Sequence, residues 1–143
     1  MTTRNIFSLF CIGLVALVEV VVGVVYLTAS EIMPYHKEVL GVDWGQLEPG
    51  VRTMFVAFIN AYGSGHFAVG ISLGALVLFP MRQGHAWARW TALVVGLPML
   101  ATSAYISTYL ASLVNEGPPW RGAIAMLLVF MLGIAIFQGK ARS

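Results

Sequence analysis

The sequence predicts an all-α fold: an up-down four-helix transmembrane bundle with a structured extracytoplasmic loop between its first and second helices. Two observations carry this expectation. Of 143 residues, 59% are hydrophobic and only 10% are charged, whereas soluble domains carry about 25% charged residues. Charges and prolines also gather between four apolar runs, each near the roughly 20 residues that cross about 30 Å of hydrocarbon. The whole of 1–143 therefore reads as a single integral membrane domain. A net charge of +2 without a basic run speaks against a nucleic-acid partner. Cys11 is the only cysteine, so no internal disulfide can form.

The first helix is expected over about 6–27, interrupted only by Glu19. Thr28-Ala29-Ser30 resembles a small-residue cleavage site. The apolar run before it exceeds the roughly 7–15 residues of a signal peptide, however, and Glu19 sits badly in one. The connection over 30–50 is too long for a plain loop. Pro34 opens a short helix that Gly41 ends, Asp43 caps a further turn through Leu47, and Pro49 leads into the second span. That second helix covers about 51–79, the third about 88–113 with Pro98 inside it, and the fourth about 120–137. Pro80, Pro118 and Pro119 fall between runs, where they start or stop helices.

The loops set the orientation. Arg4, Arg82, Arg89, Lys140 and Arg142 lie on one side with no acid among them. Lys37, Arg52 and Arg121 lie on the other, beside Glu31, Glu38, Asp43, Glu48 and Glu116. The positive-inside rule then puts both termini in the cytoplasm. Trp44, Trp120 and Tyr35 outside, with Trp87 and Trp90 inside, suit interfacial aromatic belts.

Glu19 is the one formal charge expected inside the bilayer, and a charge at mid-membrane costs about 2.5–3.5 kcal/mol on insertion scales. It should therefore face the interior. On a helical wheel it shares a stripe with Ser8, Ile12, Ala16, Gly23, Tyr26 and Ser30. In the second span Arg52, Asn60, Gly63, His66, Phe67, Gly70 and Gly74 share an arc, Gly70 and Gly74 forming a GxxxG close-packing signal. In the third, Thr91, Pro98, Thr102, Tyr105, Tyr109 and Ser112 align.

Counted from the outer end of each span, Glu19 lies about 12 Å deep, Asn60 about 13 Å and Thr102 about 12 Å; Tyr105 is shallower at about 8 Å and His66 deeper at about 22 Å. The expected ligand-binding cluster is thus Glu19, Asn60, Thr102 and Tyr105, with Arg52, Tyr26 and Tyr109 above and His66 below. It either fixes helix register by hydrogen bonding or lines a pocket for the polar end of a ligand. His36, Tyr35 and Trp44 are candidates for a lid over that pocket.

His66 has no second intramembrane histidine with which to hold a haem, and it is expected to donate to a carbonyl or hydroxyl. No metal site is expected: the outer set Glu31, His36, Glu38 and Asp43 matches no ligand spacing. HExxH, GxSxG and P-loop patterns are missing. Ser64 and His66, two apart on a helix, point about 160° away from each other and cannot form a nucleophile pair. The enzyme question stays open and leans towards no catalysis.

Glu19-x-x-x-Gly23, a Pro-containing outer segment, Arg52 before a Gly-rich second helix and a short basic turn between helices two and three make the chain resemble the DoxX-like small bacterial four-helix membrane proteins. Its long outer segment with Pro34-Tyr35-His36 departs from the compact pattern of that group and is equally consistent with a related branch. The resemblance implies a four-helix bundle in the bacterial inner membrane; some members of the group act as accessory subunits of quinone-linked redox enzymes.

The function expected is a non-catalytic membrane protein that binds a lipid-like or quinone-like ligand in an outer-leaflet pocket, or an accessory subunit of a membrane complex. Membrane lipid, a second copy or a partner membrane subunit would be its partners; no cofactor is expected beyond such a quinone or lipid. The alternatives are a small proton-coupled transporter or exporter using Glu19 and an enzyme acting on a membrane-embedded substrate.

Overall fold

The computed structural model describes residues 1–115 and 117–139; Glu116, Lys140 and Arg142, which enter the charge pattern, lie outside them. The described chain is helical, without a strand: α1 (Thr3–Leu27), α2 (Pro34–Leu40), a 3-10 turn (Trp44–Gln46), α3 (Pro49–Leu76), α4 (Trp87–Ala111) and α5 (Trp120–Ile136). A π-helical turn, Val77–Met81, extends α3. Three helical stretches are long and apolar enough to cross a membrane: Thr3–Leu27, Pro49–Met81 and Trp87–Ala111. α5 is apolar but shorter, about 25 Å from end to end, against the roughly 30 Å of a hydrocarbon core.

Local chemistry explains the ends of these elements. Thr2 Oγ1 accepts from Asn5 N–H at 3.3 Å and caps α1. Pro34 and Pro49 occupy first turns, where a missing N–H costs nothing. Gly41, at φ 65°, ends α2 in a left-handed conformation open to glycine. Pro80 does not stop its helix as expected but sits inside the π turn. The turn absorbs it by wider bonds, Arg82 N–H to Val77 O at 3.3 Å and His85 N–H to Pro80 O at 2.9 Å.

α1 and α3 pack most closely, in an antiparallel register set by three glycines. A Cβ on Gly23, Gly63 or Gly70 would strike the backbone of the facing helix, near Phe67, Leu27 and Val20 respectively. Gly74 faces open space, so the close approach uses Gly63 and Gly70, seven residues apart, and not the GxxxG pair. Because Leu27 lies opposite Gly63, the first turns of α3, about 20 Å of helix, extend past the end of α1. α2 lies against this overhang.

α5 packs on α1 through Ser8 Oγ, which donates to Gly133 O at 2.6 Å, and on α4 where Phe130 fills the space over Gly96. Arg4 and Asn5 bond to Ile136 and Gln138, so the two described ends of the chain meet at one end of the molecule. Ile12, Val15, Leu73, Leu100, Phe130 and Ile134 fill the half nearest those ends. The half nearest α2 holds the two cavities that adjoin Tyr26 and Tyr62.

Candidate functional site

Glu19 projects from α1 into the interior and is 4% exposed. Its partner is His66 of α3: Nδ1 lies 2.7 Å from Glu19 Oε2. The far side of the imidazole meets α4, where Ser103 Oγ is 3.4 Å from His66 Nε2. Tyr62, one turn before His66, brings its hydroxyl within 2.8 Å of the same Ser103 Oγ. Carboxyl, imidazole, alcohol and phenol therefore form one continuous string across three helices. Among the described residues no third His, Cys, Asp or Glu joins Glu19 and His66 to make a metal site.

Aromatic rings hold the histidine in place. Tyr62 meets it edge-on with centroids 4.4 Å apart, and Tyr26 stacks on it at 6.4 Å. Tyr26 and Tyr62 are themselves in edge contact at 5.5 Å.

Two cavities adjoin this group. The inner one, about 320 Å³, lies between α1, α3, α4 and α5; Glu19, His66, Ser103 and Tyr62 open on it, and Val18, Val22, Leu100 and Met126 make apolar wall. The outer one, about 280 Å³, lies under α2 between Ile32, Tyr35, His36, Phe55, Phe58 and Ile106. Tyr26, Tyr62, Ser107 and Pro118 line both. The Tyr26 and Tyr35 hydroxyls are hydrogen-bonded to each other at this shared wall. Burial, followed by the bond to Tyr26, pushes the Tyr35 phenol well above its ordinary range. Burial also lowers the His36 imidazole, whose buried Nδ1 has no hydrogen-bond partner among the described residues.

The structure regroups the predicted site. Glu19, His66 and Tyr26 come together in it, and Tyr35 and His36 line the outer cavity. Asn60 does not reach Glu19. In the amide orientation that satisfies its neighbours, its nitrogen donates to Tyr26 O at 2.9 Å and Ala29 O at 3.1 Å, closing the end of α1. The depth estimate fails because it sets Leu27 level with Val51, whereas the α3 overhang sets Leu27 level with Gly63. That shift brings His66, not Asn60, to Glu19.

Thr102 is exposed, as are Tyr105 (71%) and Tyr109 (55%), which stack on each other outside the helix cluster. The buried face of α4 is instead Ala88, Ala92, Gly96, Leu100, Ser103 and Ala104, since small side chains admit a neighbouring helix and tyrosines do not. Arg52 lies on the overhang, about 15 Å along α3 from Tyr62, in a recess with Ser30, Trp44 and Thr53. Trp44 packs on Phe55 with centroids 6.5 Å apart and lines that recess rather than the outer cavity.

Sequence reasoning missed Ser103 and Tyr62. The Ala88-x3-Ala92-x3-Gly96 spacing was the available signal for the true face of α4. Comparison with protein-family models, with curated proteins and with solved structures finds no match.

Proposed function

We propose that this chain is an integral membrane protein in which α5 joins the three longer helices to complete an up-down four-helix bundle, and that it binds an amphipathic, lipid-like or quinone-like molecule between them. One observation carries the reading: a string of hydrogen-bonding groups, Glu19–His66–Ser103–Tyr62, opens on an otherwise apolar cavity. Ligand sites have this make-up, mainly apolar walls with a few convergent polar groups. The head of the ligand lies against Ser103, Tyr62 and His66, and its tail runs along Val18, Val22 and Met126 or past Tyr26 into the outer cavity. His36 Nδ1 is buried at that second cavity with no partner among the described residues, which suits a ligand that brings a hydrogen-bonding group.

The packed half of the molecule supports binding over passage. Below Glu19 the interior is filled by Ile12, Val15, Leu73 and Phe130, each fully buried, so the cavities end there. Arg4, Arg82 and Arg89 at the end holding the termini, against Glu31, Glu38, Asp43 and Glu48 at the α2 end, favour cytoplasmic termini. With the DoxX-like resemblance, the bacterial inner membrane is the location proposed.

Mass spectrometry of small molecules carried through purification tests this. A defined lipid or quinone should be retained by the wild type and lost from Leu100→Trp, which fills the inner cavity. A wild type that carries no such molecule and shows no saturable binding of a short-chain quinone or a fatty acid overturns the proposal.

A further inference from the structure

Six hydroxyl side chains on or at the ends of the helices, those of Thr28, Thr53, Ser64, Ser72, Thr91 and Thr108, bond to the carbonyl four residues back. This is the ordinary way a helix disposes of a serine or threonine in apolar surroundings. Ser103 does otherwise. Its Oγ is turned away from its own helix to lie between His66 Nε2 at 3.4 Å and the Tyr62 hydroxyl at 2.8 Å. His66 in turn is held from behind, Nδ1 on the Glu19 carboxyl at 2.7 Å. The order alcohol, imidazole, carboxyl is that of an activated nucleophile: the carboxyl fixes the tautomer and orientation of the ring, and the free ring nitrogen faces the hydroxyl proton. Such constellations are recognised by geometry and role, independently of fold. A spacing of 3.4 Å is within what catalytic pairs show before substrate binds.

We propose that Ser103 is a nucleophile and that the molecule bound in the inner cavity is a long-chain carboxylic ester of the membrane, which the site hydrolyses. This rests on the binding reading above and specifies its ligand. Ser103 opens on the cavity together with His66 and Glu19, so a carbonyl carbon can reach Oγ while an acyl chain lies along Val18, Val22 and Met126.

In the first step the Oγ–carbon bond forms as the hydroxyl proton passes to His66 Nε2. The bond from that carbon to the ester oxygen then breaks, and the leaving alcohol takes the proton from Nε2. In the second step water attacks the acyl-serine, gives a proton to Nε2 and releases the carboxylic acid; Nε2 returns the proton to Oγ. Ester and water become acid and alcohol, and the protein is unchanged. Tyr62, whose hydroxyl lies beside Oγ, is placed to donate to the carbonyl oxygen as it gains charge. Ser103, His66 and Tyr62 are the catalytic residues of this scheme. Glu19 acts through His66 and is a positioning residue.

The test is covalent labelling of the purified full chain by a long-chain alkyl fluorophosphonate and by its short-chain counterpart, with the adduct located by peptide mass spectrometry. The wild type should be labelled at Ser103, with the long chain reacting more than about tenfold faster because its methylenes enter the apolar cavity. His66→Gln should slow labelling by about 100-fold or more. Glu19→Gln, which keeps an acceptor for Nδ1, should retain more reactivity than Glu19→Leu. Ser64→Ala, on the far side of α3, should leave the rate unchanged.

A folded wild type that keeps its co-purified amphipathic molecule but is labelled at Ser103 by neither probe overturns the nucleophile and leaves the binding reading standing. Equal rates in the wild type and His66→Gln also overturn it. Labelling at Ser103 in a protein that retains no molecule and shows no saturable binding of a short-chain quinone or a fatty acid overturns the binding reading alone.

Discussion

His66 Nδ1 lies 2.7 Å from Glu19 Oε2, and the two side chains are only 4% and 5% exposed. Two groups that are costly to place among apolar helices thus satisfy each other, and the contact ties α1 to α3 midway along their length. The same pair forms the floor of the inner cavity. Packing and chemistry meet in one hydrogen bond.

Breaking that bond from one side leaves the other group buried without a partner, a loss of about 1–3 kcal/mol. Glu19→Leu should therefore lower unfolding stability by about 2–3 kcal/mol. Glu19→Gln, which still offers Nδ1 an acceptor, should cost about 1 kcal/mol. The double variant Glu19→Leu/His66→Leu should lose at least about 1 kcal/mol less than the sum of the single losses. A double-mutant cycle in detergent measures this directly, and strict additivity would mean that the two residues do not interact.

Glycine positions separate close packing from motif matching. Adding a methyl at Gly63 or Gly70 forces it into α1 backbone, and overfilling a packed interior costs about 1–3 kcal/mol. Gly74 has nothing within reach of a Cβ, while alanine improves helix propensity by up to about 1 kcal/mol. Thermal unfolding should show Gly63→Ala and Gly70→Ala melting early, and Gly74→Ala at or above the wild type.

The contrast between these glycines shows what sequence could convey. Element type and bounds were legible because apolar run length, prolines and Gly41 act locally: α1 ends at Leu27 and α2 runs from Pro34 to Leu40, as expected. The interior face of α1 was legible because Glu19 has only one tolerable direction to point. Register between helices was not legible, since it depends on which glycine meets which backbone across the interface. Polar content misled on α4, where Tyr105 and Tyr109 marked the outward face while Ala88, Ala92 and Gly96 marked the packed one. His66, expected on a carbonyl or hydroxyl, meets the Glu19 carboxyl instead, since costly buried groups in a membrane pair with each other.

Asn60 gives a test of the corrected register. Its amide caps the Tyr26 and Ala29 carbonyls, so Asn60→Ala should lower stability by about 1 kcal/mol and leave ligand retention intact. Asn60→Asp would set carboxylate oxygens against those carbonyls and should be the more damaging variant near neutral pH. Unfolding and co-purification assays on the two proteins check both statements. Loss of the ligand in Asn60→Ala would return Asn60 to the binding site.

His36 makes stability depend on pH. Burial holds its imidazole below the ordinary value of 6.5, so the unfolded chain takes up a proton at this residue more readily than the folded one. Its contribution to stability is therefore fully present above about pH 6.5 and is lost as pH falls from there through the folded value. The difference between wild type and His36→Gln isolates this residue. The unfolding midpoint of the wild type should drop further than that of His36→Gln when both are taken from pH 7.5 to pH 5. Because His36 lines the outer cavity, protonation should also weaken retention of a ligand whose donor meets Nδ1, and that sensitivity should disappear in the same variant. Parallel pH curves for the two proteins would show that the imidazole is free to take up its proton in the folded state.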